Sequence, residues 1–397
     1  MRALALAAVL LAACGGPPPP PPPRPSGLER ASIRALRAWT VATYELRLLG
    51  EPGAVAPAGR LEALEEERAQ ARAELARALV AGGADPSRAE DEGQLLPLVN
   101  EAARAGGRYA LLLGDDPASF ALVRVERDEE RLARLFGETF AYRLVVHDET
   151  LVPDWPAWRA ERLAGAGSLA RPATWSAGGP GSSGVVRVDR AAIERRGAEQ
   201  FLPRVDALRA AAARAADPEA FRGAAGPEHL PELVELCRAA LRWRSLEQLW
   251  ATLAARPARE QLAGFVADYA LRAETRAACE LRELLRLRPP GAATSPALTP
   301  EDQVRLQELG ALSAMLHGEP LGVLADLLAL VRAGSGTQAA AAPAVLAARH
   351  LVAELAAGLR EGPASLEADA LALWRLAGAS PQELRRQAQA LHQARLP

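Results

Sequence analysis

Seven consecutive prolines at residues 17–23 set the first limit on what this chain can fold into. Proline lacks a backbone N–H and fixes φ, so the run joins neither a helix interior nor a central strand. It favours a polyproline II rod rising about 3.1 Å per residue, which makes residues 15–25 a stiff spacer of roughly 30 Å. A folded core is therefore expected from residue 28 onward.

The stretch before the prolines reads MRALALAAVLLAAC. A charged start at Arg2, an apolar run and small residues before a cysteine form the layout of a secretory signal. The run is too short to span a bilayer. Its last four residues, Leu11-Ala12-Ala13-Cys14, resemble the lipobox of bacterial lipoproteins. The resemblance covers residues 1–14 only. It implies cleavage before Cys14, a diacylglyceryl thioether on that cysteine, and an acylated N-terminus. With Gly15 and not aspartate after the cysteine, it further implies sorting to an outer membrane, facing the periplasm or the surface. Residues 1–13 are then the signal peptide, and residues 14–27 the lipidated cysteine with its proline-rich stalk.

Charge and residue usage narrow the function classes. Lys+Arg total 47 against 49 Asp+Glu, a formal net charge of −2. No basic excess exists to neutralise phosphates, so nucleic acid is not an expected partner. Every cation is an arginine, Asn100 is the only asparagine, and Ile33 and Ile193 are the only isoleucines. These scarce residues share AT-rich codons, so the abundance of arginine and alanine reads as genomic bias. The missing lysine excludes a Walker-type phosphate loop, a Schiff-base enzyme and an SxxK acyl-enzyme. No cofactor is implied.

The length suggests two domains. A mixed α+β domain is expected over 28–225 and an all-helical one over 226–397. The fold class is α+β, predominantly α-helical: a small antiparallel sheet module followed by a helical bundle or array. Helical spacing appears over 28–48, 61–80 and 93–104. A short apolar run at Tyr109–Leu113 and alternating runs at Phe120–Glu126 and Phe140–Val146 read as strands, with Val185–Val188 a fourth. A short helix is expected between them at 128–136, closed by Gly137. Residues 167–184, which contain GGPGSSG, read as a loop. From Asp189 the pattern is helical, near 190–215, 228–254, 257–287, 300–317, 320–333, 341–360, 365–376 and 381–394. Thr299-Pro300 and Ser380-Pro381 mark two helix starts with a cap and a first-turn proline.

Four groups of residues are candidates for chemistry. His147, Asp148 and Glu149 end the best strand, and a histidine beside carboxylates suits a general base. His350 and Glu354 share a helix face at i and i+4, and His317 is the plausible third donor for a metal. Trp155 and Trp158, with Trp175 beyond, could line a ligand groove or close the edge of a core. Cys237 and Cys279 remain once Cys14 is lipidated, and outside the cytoplasm they are a candidate disulfide. Together these features favour a lipid-anchored envelope protein with a binding or scaffolding role, its partners the membrane and another envelope protein. The alternative is a lipid-anchored hydrolase using the histidine–carboxylate cluster or the metal.

Overall fold

A computed structural model describes residues 27–51, 57–113, 119–164, 173–176, 184–217, 230–287, 299–334, 342–360 and 365–396. Cys14, the signal, the prolines and the GGPGSS run at 178–183 lie outside the described residues. The chain divides into two compact units, Met1–Leu111 and Leu112–Pro397.

The first unit is helical where it is described. Its elements are α1 (Arg30–Leu49), α2 (Arg60–Ala81), α3 (Pro86–Glu90) and α4 (Glu92–Gly106). α1 and α2 pack together, burying Leu36, Trp39 and Tyr44 on one helix and Leu64, Leu75 and Leu79 on the other. These lie at turn-like spacing, so each helix presents an apolar stripe. Arg60 and Glu45 pair at 2.6 Å between the two helices. Asp85 and Asp91 cap α3 and α4 by accepting the amide hydrogens of Ser87 and Gly93.

A sheet follows, formed by β1 (Tyr109–Leu113), β2 (Phe120–Leu135), β3 (Glu138–Val152), β4 (Ala173–Ser176) and β5 (Val185–Asp189). The strand order is β1-β2-β3-β5-β4. β2 and β3 form a long antiparallel hairpin, β4 runs antiparallel to β5, and β5 runs parallel to β3. The sheet is therefore mixed, where an antiparallel one was expected. The parallel step follows from a crossover that carries α5 (Trp155–Ala164) and places β4 at the edge.

The helix expected at 128–136 is a strand. RDEERLARL has helical charge spacing, but cross-strand partners prevail over local propensity. Arg143 on β3 grips Asp128 on β2 with both guanidinium edges, Nε lying 2.7 Å from Oδ1. Gly137, which reads as a helix stop, is instead the second residue of the hairpin turn. Leu135 pairs with Glu138, and the two residues between them have φ values of 54° at Phe136 and 81° at Gly137. Two positive φ values match the twist of a two-residue hairpin.

The helical part contains α6 (Arg190–Arg196), α7 (Val205–Ala215), α8 (Leu230–Leu253), α9 (Ala258–Leu287), α10 (Pro300–His317), α11 (Pro320–Ala333), α12 (Pro343–Ala357), α13 (Leu366–Gly378) and α14 (Pro381–Arg395). The single helix expected over 190–215 is broken by a π turn at Gly197–Phe201 and a 3₁₀ turn at Leu202–Arg204. Pro203 has no N–H for the ladder, and the chain changes pitch around it. The caps read at Thr299 and Ser380 form, each accepting an amide hydrogen at 3.1 Å, from Asp302 and Glu383.

α9 is the element around which the second unit packs. Sheet residues Leu144, Val146, Val186 and Val188 share one core with Phe265, Ala277 and Leu281 of α9. Cys279 of α9 joins a second core with residues of α8 and α10 to α14. Sheet and helices thus have a common interior. The expected boundary at 225/226 lies outside the described residues; the compact units divide between Leu111 and Leu112, inside β1. Gly310 of α10 lets the backbones approach, since a Cβ there would lie 2.5 Å from Glu280 Cγ.

Candidate functional site

The sheet holds the histidine–carboxylate cluster, but its three members do not converge. His147 is 5% exposed, and its Nδ1 is buried without a hydrogen-bond partner. Asp148 is turned to Arg124, which it binds through both oxygens at 2.8 Å. Glu149 reaches the same guanidinium at 3.2 Å. Alternation along β3 separates His147 from Asp148, and one arginine occupies both carboxylates. Burial lowers the His147 pKa. Arg187 adds to this, and Asp189, Asp148 and Glu126 oppose it.

The expected metal ligands are likewise apart. His350 Nδ1 meets Glu308 at 2.9 Å. Glu354 accepts from Arg395 at 2.7 Å, and Arg395 also donates to Glu308. His317 packs edge-on against Phe136, ring centroids 4.3 Å apart. No group of three His, Cys, Asp or Glu side chains suited to a metal ion occurs among the described residues. Each expected ligand has an organic partner instead.

Trp155 and Trp158 lie in the first turns of α5 and are 8% and 9% exposed. They stack on each other at 5.6 Å, and the Trp155 amide donates to Ser119 Oγ. Trp175 lies on β4, opposite Val186. Cys237 and Cys279 are both free, so the expected disulfide is not formed. Each thiol is buried in one apolar core, and burial pushes both pKa values up to about 12. They behave as small apolar side chains.

A buried polar chain links α9, α10 and α14. Ser313 Oγ donates to Glu283 at 2.7 Å, and His392 Nε2 lies 3.4 Å from the same oxygen. Serine and histidine both address the acid and not each other, so no nucleophile–base contact exists. Burial raises the Glu283 pKa, but His392, Ser313 and Arg282 outweigh it and hold the carboxyl below its ordinary range.

The structure brings together a different set, not among the four groups of candidates read from the sequence. A cavity of about 170 Å³ opens among α6, the π turn, α8, α9, the end of α10 and α11. Arg196, Arg242, Arg272 and Arg276 line it with Tyr269 and Phe201. Tyr269, Arg272, Arg276 and Glu280 follow helical spacing along one face of α9. Arg276 reaches Glu280 at 3.2 Å and Asp326 at 3.0 Å. Arg272 reaches Asp268 at 2.8 Å, Glu319 at 3.4 Å, and the Ser245 carbonyl and hydroxyl. The π turn contributes Phe201, whose ring is stacked under Arg242 at 5.0 Å. Such turns often occur at sites where a side chain must be re-aimed. Apolar wall comes from Leu246, Val323 and Leu330. Charged donors over an apolar floor are the composition of a ligand site.

No protein-family model, curated protein or solved structure matches this chain.

His147 yields a pH prediction. A folded-state pKa lowered by burial means that the unfolded chain takes up the proton first. The stability that the neutral ring confers is complete above the ordinary histidine value of ~6.5 and falls as pH drops through it towards the folded value. Urea unfolding of the His147→Leu protein should therefore show a shallower loss of stability than the parent below pH ~6.5. Equal slopes would mean that the ring is not held neutral.

Proposed function

We propose that the protein is a lipid-anchored component of a bacterial cell envelope whose folded part binds a small molecule. The single observation behind the binding role is the arginine-lined cavity, which combines enclosure, apolar wall and convergent donors. Leu11-Ala12-Ala13-Cys14 and the proline stalk support the anchor. Among the described residues no helix is long and apolar enough to cross a membrane. The hydrolase alternative uses either His147, Asp148 and Glu149 on one substrate or a metal, yet Asp148 and Glu149 are held by Arg124, and no three-ligand group suited to a metal occurs among the described residues.

The anchor predicts that the protein enters the detergent phase on phase separation and that Cys14→Ser abolishes this. Continued partitioning of the Cys14→Ser protein would contradict lipidation.

The binding role predicts that a thermal-shift screen of the full chain against mixed neutral, cationic and anionic metabolites finds stabilising compounds. Ala273→Phe fills the cavity from its partly exposed α9 wall and should abolish those shifts. Shifts that survive the substitution would place binding elsewhere.

A further inference from the structure

The four arginines of the cavity are not equally occupied. Arg272 and Arg276 are held by Asp268, Glu319, Glu280 and Asp326. Arg196 donates to the Tyr269 hydroxyl at 2.8 Å and has no carboxylate partner among the described residues. Arg242 has one carboxylate in range, Asp326 at 3.6 Å, and Arg276 already holds that acid at 3.0 Å. The Arg242 Nε is buried with no partner. Arg196 and Arg242 are therefore the least satisfied of the four: one donates to a hydroxyl, and the other shares Asp326 with Arg276. A buried guanidinium without its donors satisfied costs stability unless something else supplies the acceptor.

Resting on the reading of the cavity as a binding site, we propose that its ligand is a small monocarboxylate with an apolar body, held between Arg196 and Arg242. Guanidinium matches a carboxylate through paired N–H donors. Tyr269 adds a hydroxyl whose proton is free to donate, because its oxygen already accepts from Arg196. Burial, then Asp326, raises the Tyr269 pKa, so this proton stays in place at neutral pH. The body of the ligand is set by size. A cavity of about 150 Å³ lined by apolar side chains takes one benzene ring. The 170 Å³ here thus accommodates a single ring or a short alkyl chain against Phe201, Leu246 and Val323. Glu280, Glu319 and Asp326 on the remaining wall disfavour a second negative charge, which separates a monocarboxylate from a phosphate dianion.

Isothermal titration of the full chain in detergent with benzoate, benzamide, benzylammonium and inorganic phosphate tests this. Benzoate should bind saturably, and the other three at least tenfold more weakly. Arg196→Met and Arg242→Met should each weaken benzoate at least tenfold and leave benzamide unchanged. Arg196 lies on a partly exposed helix, so its variant carries the test if the Arg242 variant does not fold. Benzamide, benzylammonium or phosphate binding as tightly as benzoate would overturn the proposal, as would benzoate binding indifferent to both substitutions. Failure of all four probes would overturn the carboxylate class. The wider binding role would still stand if the metabolite screen gave shifts that Ala273→Phe removes, and it would fall if it gave none.

Discussion

The second unit depends on one helix that carries charge into the interior. Ala277 to Leu284 of α9 is buried without a break, and three of those eight residues are Glu280, Arg282 and Glu283. A helix buried on all sides is usually apolar. Here each charge has a named partner: Arg276 for Glu280, Glu138 and Glu283 for Arg282, and Ser313 with His392 for Glu283. Removing one partner from a buried pair costs about 3–5 kcal/mol, because the other charge is left in low dielectric. The partners come from a hairpin tip and from α10 and α14, so the pairs fix which elements may lie against α9. Phe136 illustrates the constraint. It holds a left-handed φ of 54° that costs on the order of 1 kcal/mol for a non-glycine residue. Its ring is gripped by Arg282 at 4.5 Å, His317 at 4.3 Å and His392 at 4.7 Å.

The same helix builds the cavity with its other end. Tyr269, Arg272 and Arg276 precede the fully buried stretch, and the acids that hold the last two arginines come from α9 itself and from α11. Fold and site are therefore one arrangement. Glu319, which caps α11, reaches Arg272, and Asp326 of α11 reaches Arg276. Arg196 has no carboxylate partner among the described residues, and Arg242 shares Asp326 with Arg276.

Much of this fold was legible in the residues. Periodicity and caps located the long helices because those signals are local: Ser380 accepts the Glu383 amide as its spacing implied. The strand at 128–136 was not legible, since its charges satisfy a helix as well as a hairpin and only Arg143, a neighbour in space, decides between them. The common core of sheet and helices was hidden for a similar reason. Leu281 of α9 shares a core with Val186 and Leu144, which no local pattern encodes. At the site, histidine and cysteine stand out in the sequence because they are rare, while arginine, being abundant, does not. Tyr269, Arg272 and Arg276 do carry a signal, a polar stripe at helical spacing within a helix otherwise rich in core residues. What gives the stripe meaning is its meeting with Arg196 and Arg242, which are less fully paired than Arg272 and Arg276, and that depends on elements far apart in the chain.

The most direct test of this account is a crystal structure of the full chain grown with benzoate. The account predicts benzoate in the cavity of the second unit, its carboxylate within hydrogen-bonding distance of both Arg196 and Arg242 and its ring against Phe201. Benzoate bound outside that cavity, or inside it with the carboxylate turned away from both arginines, would contradict it.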